Sequence, residues 1–392
     1  MKIAYIGQKG IPGQSGGVEM HVETLALGMR AEGHDVYVYC RRWYLPEPAN
    51  SYKGIKLIYR PSWRTKNLDT ITHVWFSTWH AMRQKFDIIH YHGVGPALLS
   101  WLPRLFCPKT KVVVTFHSID RLHKKWGAVA RWLLRLGEYC AVHYAHATIT
   151  VSRGLKAYCE KKFHKKVIYI PNGIYQYEKK PAKLITENWG LNGNDYIFFM
   201  SRLVRHKGIH YLMEAYKSLK QTDKKLVIVG GGSFSDEYVR HIEHLAKEDP
   251  RVIMVGEVPM KSDLWLELFS NAYLFVLPSE YEGLSIVVLE AMSFGRCVLV
   301  SDIPENLESI AGGVGFSFKN KDVANLRLQL RYLLDNSKIV EQVGNAARTM
   351  VLEHYHWDKI IKATEFVYRV LWKKASQEDF EKYLQPFNQP RV

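Results

Sequence analysis

Cysteine is scarce and patternless: five residues, at 40, 107, 140, 159 and 297, with no C-x-x-C among them. An odd, scattered set excludes a disulfide framework and a zinc knuckle, and predicts reduced thiols in a cytoplasmic compartment. Long apolar runs are missing as well. The longest uncharged apolar stretch worth testing, Gly93–Pro103, reaches roughly half the length a bilayer crossing needs and contains Pro96 and Pro103. Met1–Ile6 leads straight into a glycine-rich turn, so no leader segment is expected. With 47 % hydrophobic and 23 % charged residues, the composition excludes disorder and low complexity. The 392 residues suit two domains better than one. Acid is the residue class most unevenly lacking. Residues 1–170 hold 26 Lys+Arg against 10 Asp+Glu, whereas 171–392 hold 28 against 28, so the whole net charge of +16 sits in the first half. That asymmetry calls for a polyanionic partner, either nucleic acid or an anionic membrane face.

What is present is a repeated strand–helix pattern. Lys2–Ile6 reads as a strand, Gly7–Gly17 as a glycine-rich turn, Val18–Met29 as an amphipathic helix and Asp35–Cys40 as the next strand. Further short β runs stand at Ile55–Tyr59, Asp87–His90, Val112–Phe116 and Thr148–Val151. A second series begins near Tyr196, with Tyr196–Met200, Leu226–Val229, Val252–Val255, Leu274–Leu277 and Cys297–Val300. Residues 175–192 read as the linker, and amphipathic helices at Val323–Leu334 and Asp358–Lys374 close the chain. The expectation is an α/β protein with two Rossmann-like, doubly wound domains facing across a cleft lined by the carboxyl ends of both sheets. The first spans 1–174 and the second 175–355, with a C-terminal helix of about 356–392 packing back on the first.

The first turn lacks the G-x-G-x-x-G dinucleotide fingerprint, and no Asp or Glu follows the second strand; Arg41-Arg42 there leaves a 2′-phosphate, and so NADPH, as a minor reading. Gly16-Gly17 still precede a helix, whose exposed N–H groups favour an anion. In the second half, Ser201-Arg202-Leu203-Val204-Arg205-His206-Lys207-Gly208 follows a strand and opens a helix, which places two cations where they can hold a diphosphate. Glu282-Gly283-Leu284-Ser285-Ile286 then presents free backbone N–H groups. Glu290 lies two turns on, among apolar neighbours where a carboxylate needs a partner such as a ribose diol.

Glu282-x7-Glu290, preceded by the Arg202–Lys207 segment and by Pro171-Asn172-Gly173-Ile174 and Gly16-Gly17-Val18-Glu19, resembles the retaining GT-B glycosyltransferases of the large fourth family. The motifs arrive in the family's order and cover nearly the whole chain. Thr115-Phe116-His117-Ser118-Ile119-Asp120-Arg121 is similar to bacterial enzymes that build surface polysaccharides, many of which carry His-Gly-Leu-Asp where this chain has His117-Ser118-Ile119-Asp120.

The resemblance implies a nucleotide diphospho-sugar donor, UDP- or GDP-linked, and a saccharide or lipid-linked acceptor. Glu290 would hold the ribose, and Arg202 and Lys207 the departing diphosphate. Gly16, Gly17, Gly283, Leu284, Ser285 and Ile286 would supply backbone donors, and Glu257 and Val258 would lie where the base is read. Glu282 would contact the donor sugar, His117 would orient the reacting sugar, and Asp120 is the acceptor-side candidate. No metal or other cofactor is implied, and the chain has no Asp-x-Asp. His90-Tyr91-His92 shows only two possible ligands, with no third in view.

A lipid-linked acceptor would give the basic half its partner, an anionic membrane on the cytoplasmic side. The expected helix His123–Val142 aligns Trp126, Val129, Leu133, Leu136 and Cys140 on one stripe, with Lys124, Arg131 and Arg135 opposite. A stripe of that kind ordinarily packs on a core. The Trp- and Arg-rich stretch 62–85 is a second membrane candidate. Two rival readings remain open: a nucleotide-sugar epimerase of the same architecture, and a nucleic-acid-binding protein, though no binding module is recognisable.

Overall fold

The structure is a computed structural model of all 392 residues, described for all but 15, 46, 66–67, 123–125, 221, 233–235, 373–374, 377, 379–386 and 388–392. The chain divides into two compact units. One comprises Met1–Asn172 with the described residues from Trp357 onward, the other Gly173–His356.

The first unit is built on an eight-stranded sheet: β1 (Lys2–Ile6), β2 (Asp35–Arg41), β3 (Ser51–Tyr52), β4 (Ile55–Arg60), β5 (Ile88–His92), β6 (Lys111–Phe116), β7 (Ala147–Thr150) and β8 (Ile168–Tyr169). The strand order is β3-β4-β2-β1-β5-β6-β7-β8, parallel except for the β3–β4 hairpin. Chains such as Ile3-Ala4-Tyr5-Ile6 and Val112-Val113-Val114 have no exposed surface, as a parallel sheet covered on both faces requires. The helix Gly17–Ala31 packs against the C-terminal helix Trp357–Leu371, where Gly28 leaves room for Ile361. The Arg153 side chain donates to the Phe387 carbonyl at 2.9 Å, so the tail returns to this unit. Lys124, and Lys373–Lys374 at the end of the expected tail helix, lie outside the described residues.

The second unit holds a six-stranded, wholly parallel sheet of β9 (Tyr196–Met200), β10 (Lys225–Val229), β11 (Val252–Gly256), β12 (Leu274–Leu277), β13 (Cys297–Ser301) and β14 (Phe316–Phe318). Its order is β11-β10-β9-β12-β13-β14. Strand order reverses beside β9, with β10 on one side and β12 on the other, which makes the carboxyl ends of β9 and β12 the switch point where doubly wound sheets take ligands. The stretch expected as linker contains a short helix, Leu184–Trp189, anchored where the Lys183 and Ile185 N–H groups donate to the Glu267 carboxylate. No helix among the described residues is long and apolar enough to cross a membrane.

Candidate functional site

In the second unit the candidate donor residues gather at the carboxyl ends of β9–β12. The loop after β9 ends in one turn of 3-10 helix, Arg205–Lys207, and Gly208 starts the helix Ile209–Lys217. Gly208 has φ +73°, and a Cβ there would strike the Pro278 carbonyl oxygen, so glycine is what lets the loop lie against the end of β12. The Glu280 N–H donates to the His206 carbonyl at 2.8 Å, and the His206 and Tyr281 rings stack at 4.6 Å. Lys207 Nζ then meets Glu282 Oε1 at 2.5 Å, and Ser279 Oγ donates to the same oxygen at 2.6 Å. Two segments 75 residues apart are thereby joined by a charge pair at the switch point. Arg202 is exposed and makes no ion pair among the described residues.

Gly283 and Leu284 lead to Ser285, the N-cap of the helix Ile286–Ser293, whose side chain makes no capping hydrogen bond. Glu290 is buried on that helix. Burial pushes its carboxyl up to about 8, opposed only in part by the Lys261 ammonium. Tyr177 lies close enough to feel the Glu290 charge. Neither Tyr177 nor Lys261 stands in a motif with Glu290, so no local sequence signal marked them. Glu257 is exposed and Val258 buried just past β11; Gly231, at the end of β10, lies where a Cβ would collide with the Glu257 carboxylate.

The first unit gathers histidines instead. Gly16, with φ +99°, caps the helix Gly17–Ala31, whose second turn carries His21. The buried Glu19 and Glu23 of that helix accept the loop N–H groups of Lys9 and Gly13, at 3.1 and 2.7 Å. His92 ends β5 and His117 follows β6, with His92 Nδ1 and His117 Nε2 hydrogen-bonded at 3.2 Å. The His21 ring stands edge-on to His117 at 4.9 Å, and its Nδ1 meets Asn172 Oδ1 at 3.0 Å. His90 is fixed between Thr115 and Tyr368. Desolvation holds His21 down to about 4 and His90, His92 and His117 well below the ordinary value, so all four are neutral at physiological pH. Asp120 accepts a hydrogen bond from Ser118 at 2.5 Å in the turn Asp120–Leu122.

Two readings of the sequence change here. The pair His90 and His92 gains no third ligand, since both His90 nitrogens are held by Tyr368 and Thr115, but His92 lies with His21 and His117, whose ring nitrogens are within 4.8 Å of one another. A tetrahedral zinc ion would draw them to about 3.3 Å apart and would break the His92–His117 hydrogen bond. Sequence spacing missed the trio because its members come from one helix and two strand ends. Of the Arg41-Arg42 pair read for a 2′-phosphate, Arg41 is buried and committed to Asp69 at 2.6 Å and to Thr70 at 3.1 Å, while Arg42 is exposed.

Comparison with known proteins covers both units. Residues 15–175 match the family model Glycosyltransferase Family 4, and residues 183–350 match Glycosyl transferases group 1. The chain is 28 % identical to an uncharacterized glycosyltransferase of Methanocaldococcus jannaschii, over 94 % of this chain and 98 % of that one. Sucrose-phosphate synthase from Thermosynechococcus elongatus superposes with a TM-score of 0.82 at 22 % identity, covering 95 % of this chain and 99 % of that one. Anabaena HepE in complex with UDP-glucose gives 0.75 at 17 %, covering 92 % and 97 %. These neighbours share the GT-B fold.

Proposed function

The chain belongs to the group 1, family 4 glycosyltransferases, and we propose that it transfers a hexosyl unit, with retention, from a UDP- or GDP-linked sugar to a saccharide or lipid-linked saccharide in cell-surface polysaccharide synthesis, at the cytoplasmic face of a membrane. The observation that carries the donor reading is the Lys207–Glu282 pair at the switch point of the second sheet, beside the helix that bears Glu290. A uridine donor is supported by the UDP-glucose bound to HepE, and the polysaccharide role by the Thr115–Arg121 motif.

In this reading Glu290 binds the ribose hydroxyls. Lys207 and Arg202 oppose the charge that develops on the diphosphate as the C1–O bond to phosphate breaks, and N–H groups at the start of the Ile286–Ser293 helix add donors. An acceptor oxygen forms the new bond to C1, and its proton passes to the departing phosphate. Glu282, held by Lys207 and Ser279, keeps its second oxygen for a sugar hydroxyl. The neutral His117 supplies a hydrogen bond rather than a charge, which suits orienting a sugar hydroxyl, and the Gly16-Gly17 helix start offers N–H groups to an anion. Cationic side chains thus take the part a divalent ion plays elsewhere. The test is transfer from UDP- and GDP-hexoses in the presence of EDTA, with the anomer of the product read by NMR. Retained configuration supports the reading; an inverted product, or a free epimerised donor without any transfer, overturns it.

A further inference from the structure

Large apolar side chains are exposed almost entirely on one unit. Among the described residues thirteen of the sixteen belong to the first unit, and only Leu307, Leu328 and Tyr332 to the second. Within the first unit they concentrate on one face of the sheet. The crossovers β4–β5, β5–β6 and β6–β7 all step toward β8, while β1–β2 steps the other way. Right-handed connections therefore place the helices Asp69–Arg83, Trp101–Phe106 and Ala128–His143 on the face opposite Gly17–Ala31. Their packing agrees: Asp69–Arg83 and Ala128–His143 both lie against the short helix Val94–Ala97.

On Ala128–His143 the stripe that would ordinarily pack on a core turns outward. Cys140 is buried, but Val129 is 74 % and Trp132 61 % exposed, and Leu133, Leu136 and Tyr139 continue the same face. Trp75, Phe76 and Trp79 do likewise on Asp69–Arg83, the two indoles lying parallel at 6.5 Å, with Arg83 over Trp79 at 5.1 Å. Leu105 and Phe106 add to it. Exposed apolar rows on two helices that both lie against Val94–Ala97 mark an interaction surface.

Charge identifies its occupant. Residues 61–137 contain 12 Lys+Arg against three carboxylates, Asp69, Asp87 and Asp120. Asp69 is taken by Arg41, Asp87 by the Lys2 N–H, and Asp120 by Ser118. Arg83, Arg104, Arg131 and Arg135 are exposed and have no ion-pair partner among the described residues. Tryptophans among unpaired arginines, with no available acid, match the headgroup region of an anionic bilayer, where indoles sit at the boundary and cations meet lipid phosphate.

We propose that this helical face of the first unit docks on an anionic phospholipid bilayer through Trp75, Trp79 and Trp132, with Arg83, Arg131 and Arg135 at the headgroups. The proposal rests on the membrane-side reading above and specifies its surface. The test is sedimentation of the whole chain with phosphatidylcholine vesicles, with and without phosphatidylglycerol. Wild type binds the anionic vesicles at least tenfold better than the neutral ones, and its tryptophan emission shifts to the blue on binding. Arg131→Glu with Arg135→Glu, and separately Trp132→Ser, each weaken binding at least tenfold, while the melting shift given by the donor nucleotide is unchanged. Wild type that stays in solution at low salt overturns the proposal, as does wild-type binding by these variants. So does a dimer in light scattering that Trp132→Ser dissolves, which would make the face a contact between copies. A nucleotide shift that persists in any of these cases leaves the transfer reading standing.

Discussion

The two units share one architecture and differ in how their strand ends are furnished. In the second unit the loops at the carboxyl edge are joined by charge: Lys207 with Glu282 and Lys321 with Glu280. Around its histidines the first unit uses neutral rings instead, His92 with His117 and His90 with Thr115 and Tyr368, while its edge pair of buried Arg41 with Asp69 is already closed. A polyphosphate needs charge held ready at a sheet edge, whereas a sugar acceptor needs hydrogen bonds of fixed direction; one fold supplies either according to what its loops carry.

The contrast can be broken at several points. Glu290→Ala should have the largest effect, lowering kcat/KM about 10³-fold, because it removes the hydrogen bonds to both ribose hydroxyls and leaves them without partners. Lys207→Met should lower kcat about 10²-fold in steady-state kinetics, the usual consequence of removing one preorganised electrostatic group. His117→Ala removes a hydrogen bond between neutral partners and should cost about tenfold in kcat.

pH separates the units by sign. Histidines held below their ordinary value bind protons more readily in the unfolded chain. The first unit is therefore fully stabilised above about pH 6.5 and loses stability as pH falls toward 4. Glu290 is raised, so its contribution is complete below its ordinary value of 4.5 and is lost as pH rises through about 8. Hydrogen exchange should show the first unit opening on acidification and the second on going to pH 8, with Glu290→Gln abolishing most of the alkaline loss. Equal responses in both units would remove the contrast. The smallest effect concerns metal: chelation by EDTA should leave the rate unchanged, and a loss restored by zinc would assign the His21–His92–His117 trio to an ion.

Most of the fold was legible because parallel strands buried on both faces write themselves as apolar runs. Tyr196–Met200 and Leu274–Leu277 stand as read, and Lys111–Phe116 differs from its reading by a single residue. The strands Ser51–Tyr52, Ile168–Tyr169 and Phe316–Phe318 are too short to carry a period. Candidate residues within one segment, such as Glu282 and Glu290, could be chosen by spacing. The link between Lys207 and Glu282, the histidine trio and the neighbourhood of Glu290 depend on strand order, which local pattern does not encode. The outward stripe of Ala128–His143 was visible as a stripe, but its direction is set by the neighbouring helices.

The central claim is that a nucleoside diphosphate binds the second unit at Glu290. It is tested most directly by thermal denaturation with UDP, GDP, TDP, ADP, NADPH and a short DNA duplex, on wild type and on Glu290→Ala. The account predicts that one nucleoside diphosphate raises the melting temperature of wild type and not of the variant. A shift with NADPH or duplex alone, equal in both proteins, would contradict it.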